Sequence, residues 1–540
     1  MGVRVLYEVL EGAAEQRLRE PAFTFLDSSL RPSVYTYGEL FHRAAELAAR
    51  LESVGIDDTA PLGILVSSQK EQTLHYLAAL HAGLLPAILT PPNRKLNQAY
   101  YAETMAAVLE RCDFSALVTD LDLGELATPT FRPFTFERVG RTAERRRERR
   151  SPAERPNASF LQFSSGTTGI KRGVLVSDEA VLSQLETYSS ALALSSDDVI
   201  LSWLPLYHDM GFIACLNLPL AYGVHTVVID PIEWVTDPSI FVRAASKYAA
   251  TLAWNPNFAF AFMAQRTRES ALEGVDLSRF RGLVNCSEPV TFESQRQFSE
   301  RFSRYGLRGD VFWGCYAMAE TTFALTHGTP DDLDYVDELG PADDTSVRGR
   351  VQVSVGRPLA GVTLSVRSAE GVELPERRIG ELWVKAPFTF SEYYNDPAAT
   401  DAAFSDGWYR TGDLGYRVRE SFYVVGRTKD VIIVGGVNVF PQDIEDLVSG
   451  IEGILPGRVS AFSDFDTSLQ TEKITVLAES ELEGSAARQA VVAARQRLLA
   501  AFQVANFDVQ LVPPGWLVKA SSGKMSRGAN RRKWSLERRA

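Results

Sequence analysis

Apolar residues recur at helical spacing over residues 37–54, where Leu40, Ala44, Leu47 and Leu51 share one face and Gly55 supplies a stop. Residues 61–66 then form a short apolar run of the kind a buried strand requires. A helix-like segment at 70–82, ending at Gly83, and a strand-like one at 84–89 repeat the alternation. The same rhythm returns over 174–194, 224–230, 238–249 and 282–304. Alternation of this kind predicts an α/β fold, with parallel sheets covered by helices. Beyond residue 351 the pattern changes: 351–355, 363–366, 380–385 and 421–425 read as strands separated by turns, a smaller β-rich unit. After Arg427 a strand at 431–434 precedes a helix that Pro441 opens and that runs to Val448, an α+β pattern.

A chain of 540 residues allows three or four folding units. Its 45% apolar and 23% charged content is ordinary for a globular protein with a large core. The net charge of -12 argues against a general partner for nucleic acid or an anionic membrane surface. Two local basic clusters stand out against it. Six arginines between 141 and 150 read as a solvated connector, and the last twenty residues carry seven Lys/Arg against one Glu. The four cysteines stand far apart, which predicts a reducing, cytoplasmic setting without disulfides. The N-terminus meets acidic residues too early for a secretory signal, and no run of about 18 apolar residues is present to span a membrane.

The sequence lacks H-E-x-x-H, G-x-S-x-G and G-x-G-x-x-G, which weakens zinc-peptidase, hydrolase and dinucleotide readings. Ser164-Ser165-Gly166-Thr167-Thr168-Gly169 is a run of hydroxyl and backbone N–H donors in a glycine-dependent turn, with Lys171 and Arg172 adding charge. Such an array suits phosphate oxygens. By itself such a run is more often a plain loop. Four further stretches accompany it. Tyr316-Ala317-Met318-Ala319-Glu320-Thr321 follows a strand-like Val311-Phe312, and Trp408-Tyr409-Arg410-Thr411-Gly412-Asp413 offers a carboxylate on a turn, suited to two ribose hydroxyls. Gly426-Arg427-Thr428-Lys429-Asp430 lies where the pattern changes, and Ser521-Ser522-Gly523-Lys524-Met525-Ser526-Arg527 sets a lysine beside glycine near the C-terminus.

In this order and spacing the stretches resemble the adenylate-forming superfamily: acyl-CoA synthetases, fatty acyl-AMP ligases, luciferases and peptide-synthetase adenylation domains. The resemblance covers essentially the whole chain. It implies a large N-terminal domain, residues 1–427, of two α/β subdomains plus a β-barrel, and a small mobile α+β domain, residues 428–540. It implies that Ser164, Ser165, Gly166, Thr167, Thr168, Gly169 and Arg172 hold the ATP β- and γ-phosphates. Ser287, Glu288 and Pro289 would pass along the adenine, with Tyr316 stacked on it and Ala317 and Met318 beside it. Glu320 would ligate Mg²⁺, Asp413 the ribose, and Arg427 ribose or phosphate. Lys524 would be the catalytic cation of adenylation, placed where carboxylate and α-phosphate bring two anions together. Lys429 takes the hinge position. Two departures stand out: Lys171-Arg172-Gly173 replaces the usual Pro-Lys-Gly, and Ala317 replaces the usual glycine.

Within the superfamily, the stretch from Trp203 through His208 to Gly211 looks most like the fatty acyl-AMP ligases. So do the stretches 255–260, 287–290 and 441–445. The likeness puts His208 near the acyl carboxylate; the alternative is a structural histidine in a Pro-flanked turn. Phe212, Trp254, Phe258 and Met318 are candidates for an apolar acyl pocket, although such residues beside a site are more often simple core. The acidic segment 329–350 reads as a shortened form of the insertion that hinders the CoA step in those ligases, whereas Gly435-Gly436-Val437-Asn438 looks more like the CoA-synthetase form. The acceptor is thus an acyl carrier protein or free CoA, with the basic C-terminal tail suited to an acidic carrier. A nucleotide-binding scaffold without turnover is the alternative from another class.

Overall fold

The computed structural model describes residues 5–56, 58, 60–92, 98–120, 135–138, 158–164, 171–338, 351–434, 437–466, 471–502, 507–519 and 525–538. The alternating pattern builds two sheets. One has seven strands in the spatial order Phe312–Gly314, Gly282–Asn285, Leu252–Asn255, Val199–Ser202, His225–Ile229, Pro21–Leu26 and Pro32–Thr36. Every neighbouring pair is parallel except the last, an antiparallel edge. The other has four parallel strands: Pro86–Ile88, Leu62–Leu65, Ala116–Thr119 and Thr135–Arg138. Central strands such as Leu252–Asn255 and Gly282–Asn285 are buried at every position, as strands covered on both faces are.

Local chemistry sets the helix limits. The helix Tyr37–Val54 starts in a reciprocal Thr36–Glu39 capping box and stops at Gly55, whose φ of 71° only glycine adopts freely. The expected strands and helices at 61–66, 70–82 and 238–249 are found as Leu62–Leu65, Gln69–His81 and Ser239–Tyr248.

The β-rich unit is a five-stranded antiparallel sheet in which Trp408–Val418 pairs with both Gly380–Lys385 and Ser421–Arg427. Here the sequence reading needs correcting. Asp413 lies inside this eleven-residue strand, not on a turn. The turn-like signal is real but local: Gly412 has φ 70°, and the register slips beside it, between Leu414 and Gly415. The hairpin of Phe160–Phe163 and Gly173–Val176 carries a third strand, Glu392–Tyr393, on its outer edge.

From residue 432 a separate apolar cluster, running from Ile432 to Phe507 and Val509, forms around the strands Ile454–Asp466, Thr471–Ser480 and Phe507–Val512. The helices Pro441–Ser449 and Gly484–Phe502 pack on it. The principal cluster draws its residues from Leu6 to Phe422. Among the described residues no helix is long and apolar enough to cross a membrane.

Candidate active site

The parallel strands end at one cavity of about 810 Å³. Leu252–Asn255 leads into Asn257 and Phe258, Gly282–Asn285 into Ser287, Glu288 and Pro289, and Phe312–Gly314 into Tyr316 through Glu320; all of these line it. Ligand sites lie at the carboxyl ends of such strands because the connecting loops there diverge and leave a crevice.

The best-defined constellation is built on Asp413, which is 6% exposed. The Tyr316 hydroxyl donates to its Oδ2 at 2.7 Å, and Arg427 Nε lies 2.9 Å from its Oδ1. Gly412 and Thr411 shape the strand around it: the Asp413 N–H donates to the Thr411 hydroxyl, which donates to the Leu382 carbonyl. Burial, then the Asp413 charge, pushes the Tyr316 phenol well up, so it stays a donor. Asp413 raises the Arg427 pKa further, and that side chain stays cationic.

Glu320 is half-buried in the same wall, with its Oε1 accepting from the Tyr393 hydroxyl at 3.0 Å. Desolvation is the main cause that raises its carboxyl above the usual range. The two ends of the hydroxyl-rich loop border the same cavity. Ser164 N–H donates to the Arg172 carbonyl at 3.1 Å, which closes the mouth of the hairpin. Ser164 and Arg172 both face the cavity. Ser165, Gly166, Thr167, Thr168 and Gly169 lie outside the described residues. The unusual Lys171-Arg172 pair divides in two. Arg172 sits over the Tyr393 ring, 5.2 Å from its centroid, and 3.6 Å from Asp396. Lys171 turns the other way, donating to the Thr90 hydroxyl at 3.2 Å, with burial pushing its ammonium down to about 8.

His208 faces the cavity with its Nδ1 2.6 Å from Asp209 Oδ1. The loop is pinned at Gly211, where a Cβ would lie 2.4 Å from the Pro205 carbonyl oxygen. It then enters a π-helical turn, Met210–Asn217. Ser287 adopts φ 71°, and the Glu288 carboxylate accepts from the Phe258 N–H at 3.1 Å. Ala317 and Met318 complete that wall. Of the four acyl-pocket candidates, Phe258 and Met318 line the cavity. Phe212 and Trp254 are core residues: Phe212 packs edge-on to Tyr76 and Phe160, and Trp254 donates to the Tyr188 hydroxyl.

The remaining wall comes from the C-terminal part of the chain. Lys519, Met525, Arg527 and Glu445 line it, and Lys519 and Met525 form an antiparallel bridge. Lys524 lies between them, outside the described residues. Arg527 binds Glu445 through two nitrogens at 2.8 and 2.7 Å and Asp430 at 3.1 Å, beside the exposed, cavity-lining Lys429. Sequence reasoning missed Tyr393 and Lys519. Tyr393 lies in a stretch with no chemical signature, its neighbours being Glu392, Tyr394 and Asn395. Lys519 was overshadowed by the Gly-flanked lysine five residues on. Its ammonium lies 5.7 Å from the centre of the Phe258 ring.

Comparison with known proteins gives this geometry a family. The model of the family described as "AMP-binding enzyme" matches residues 10–394. The long-chain-fatty-acid–AMP ligase FadD26 of Mycobacterium marinum is 27% identical, with 97% of this chain and 96% of the relative covered. The putative fatty-acid–CoA ligase fadD21 of Mycobacterium leprae is 28% identical over 94% of each. A structure from a study of fatty acyl-adenylate ligases of E. coli and L. pneumophila superimposes with a TM-score of 0.86 at 26% identity, covering 99% of both chains. McyG A-PCP, solved with phenylalanyl-adenylate, shares the fold at 23% identity, with a TM-score of 0.84 over 99% of this chain and 83% of that one. The family match runs through the hydroxyl-rich hairpin, the Tyr316–Glu320 wall and Tyr393, well over half the chain, and the protein belongs to the AMP-binding enzymes.

Proposed function

We propose that the protein activates an apolar carboxylic acid, a fatty acid or a relative of one, as its acyl-adenylate and then passes the acyl group to the phosphopantetheine thiol of an acyl carrier protein. The observation that carries this reading is the Tyr316–Asp413–Arg427 cluster, a buried carboxylate held by two donors and facing the same cavity as Glu320 and the Ser164/Arg172 mouth. In the first step a carboxylate oxygen of the acid bonds to the α-phosphorus of ATP. The bond to the bridging oxygen breaks and pyrophosphate leaves with that electron pair. In the second step the thiol sulfur bonds to the acyl carbon, AMP leaves, and the thiol proton passes to solvent.

The residue roles are those the family resemblance implies, and for the described residues their place on the cavity supports them. Asp413 accepts from the ribose hydroxyls, and the Tyr316 ring stacks on adenine between Ala317, Met318 and the stretch Ser287, Glu288 and Pro289. Ser164, the segment 165–169 and Arg172 hold the leaving phosphates, with Arg427 at ribose or phosphate. His208 faces the carboxylate of the acid, and Phe258 and Met318 its apolar part. Lys524 supplies fixed positive charge where the two anions meet. The residues fit Mg²⁺: Glu320 is a carboxylate on the same cavity as Ser164 and Arg172, and a single carboxylate suits an ion that keeps water and phosphate ligands. When bound, the ion shields phosphate charge as the carboxylate approaches. The two largest apolar clusters, drawn from Leu6 to Phe422 and from Ile432 to Val509, support a boundary at 427/428 with Lys429 as the hinge, and a small cluster of Tyr416, Val418, Tyr423, Val425 and Phe440 spans it. The four buried free thiols fit a reducing compartment, the cytoplasm.

Free CoA is the second reading, favoured by Gly435-Gly436-Val437-Asn438 in the sequence and by the name of the M. leprae relative. Acid-dependent exchange of labelled pyrophosphate into ATP, run over a panel of acids, tests adenylation; no exchange with any acid would leave only a nucleotide-binding scaffold. Adding CoA and carrier protein in separate reactions then decides the acceptor, with thioester on the carrier alone as the expected result.

A further inference from the structure

Tyr393 belongs to none of the nucleotide-contacting stretches, yet it touches three of them. It sits on the short strand Glu392–Tyr393, which pairs with the strand leaving the phosphate loop; the Tyr394 N–H donates to the Gly173 carbonyl at 2.8 Å. Its backbone N–H is held by the Thr400 hydroxyl at 3.0 Å, so the ring cannot drift along the strand. One face of the ring lies under the Arg172 guanidinium at 5.2 Å. Its hydroxyl reaches Glu320 Oε1 at 3.0 Å and the Tyr409 hydroxyl at 3.4 Å.

A phenol has one proton to give. Glu320, as a carboxylate, can only accept, so the Tyr393 proton points to Glu320 and Tyr409 donates to Tyr393. The result is a directed chain, Tyr409 to Tyr393 to Glu320. It starts on the strand that carries Asp413 and ends on the carboxylate assigned to the divalent cation. Tyr393 and Tyr409 are 6% and 4% exposed, so water does not compete for these bonds.

We infer that Tyr393 is a positioning residue: its hydroxyl fixes the direction of the Glu320 carboxylate toward the divalent cation, while its ring fixes the Arg172 guanidinium at the phosphates. The inference rests on the role given to Glu320 above. A carboxylate that ligates a metal through one oxygen must be held by its other contacts, and removing such an outer contact typically lowers metal affinity by about 10–100-fold. The ring and the hydroxyl do separable work, which makes the idea testable without unfolding the site.

The experiment titrates Mn²⁺ by electron paramagnetic resonance into protein saturated with a non-hydrolysable ATP analogue, beside pyrophosphate inhibition and the KM of the acid. Tyr393→Phe keeps the ring and loses the hydroxyl. It is expected to weaken Mn²⁺ binding by about 10-fold or more while pyrophosphate inhibition and the acid KM stay at the parent value. Tyr393→Leu loses both parts and is expected to weaken pyrophosphate inhibition as well. Glu320→Gln is the control. If Glu320→Gln weakens Mn²⁺ binding but Tyr393→Phe does not, Tyr393 has no positioning role. If Tyr393→Phe lowers the melting temperature and weakens every ligand alike, its role is structural and the inference fails. If Glu320→Gln itself leaves Mn²⁺ binding unchanged, the metal role of Glu320 falls, and this inference with it.

Discussion

An ionised carboxylate offers about four acceptor positions. At Asp413 two are taken, one by the Tyr316 hydroxyl and one by Arg427 Nε. Two are left, the number a ribose 2′,3′-diol needs. The perturbation is therefore double: Asp413→Asn in the protein, and removal of the 2′- or 3′-hydroxyl in the nucleotide. A hydrogen bond to a charged acceptor contributes about 1.5–3 kcal/mol, against about 0.5–1.5 kcal/mol for a neutral one. With a factor of ten for each 1.4 kcal/mol, the parent should prefer ATP over 3′-deoxy-ATP by about 10–150-fold in kcat/KM. In Asp413→Asn the preference should shrink to about 2–10-fold. The substitution also strands Arg427 without its counter-charge, a loss both nucleotides share and one that cancels in the ratio. Acid-dependent pyrophosphate exchange measures all four combinations. An equal preference for ATP in both proteins would refute a ribose contact at Asp413.

Three further outcomes follow from the same site. Lys524→Ala should depress acyl-adenylate formation by about 10²–10³, and parent-level pyrophosphate exchange in that variant would remove Lys524 from the chemistry. Lys429→Pro should spare adenylation but impair acyl transfer, since hinge substitutions alter turnover at a distance; equal loss of both steps would count against the hinge. Lys519 bears on stability. Burial, then Arg458, pushes its ammonium from 10.5 down to about 8, against the opposing charges of Glu288 and Glu479. Between those values the unfolded chain binds more protons than the folded one, so this group's contribution to stability rises with pH. Below pH 8 the enclosed charge works against folding. Lys519→Met should therefore melt higher than the parent at pH 7 and lose that advantage by pH 10; a lower or unchanged melting temperature at pH 7 would overturn the reasoning.

Much of this architecture could be read from the chain because its signals are local. The helix Tyr37–Val54 carries its own periodicity, cap and glycine stop, and Gly380–Lys385 is found with the bounds the pattern implies. Asp413 shows where local reading fails. Gly412 announces a turn, yet the ladders on both sides hold the segment in a long strand, and the glycine marks only the irregularity within it. Phe212 and Trp254 failed as pocket residues because an apolar side chain beside a site motif looks the same whether it faces the cavity or the core behind it. Tyr393 was illegible for a different reason: its partners, at Arg172, Glu320 and Tyr409, come from a hairpin, a 3₁₀ turn and a second sheet that only the fold brings together.

Arg527 ties Asp430, one residue beyond the hinge position, to Glu445, so the elements that carry Lys519, Met525 and Arg527 are fastened to one another as well as to the cavity. The wall that Lys519, Met525 and Arg527 form is then held as one piece. On the proposed hinge, a swing about Lys429 would carry that wall away and unroof the bound acyl-adenylate in the same stroke. Under the proposed two-step reaction, shelter and exposure of the activated acid would be mutually exclusive states of a single joint, and water would meet the mixed anhydride only in the posture that also admits the thiol.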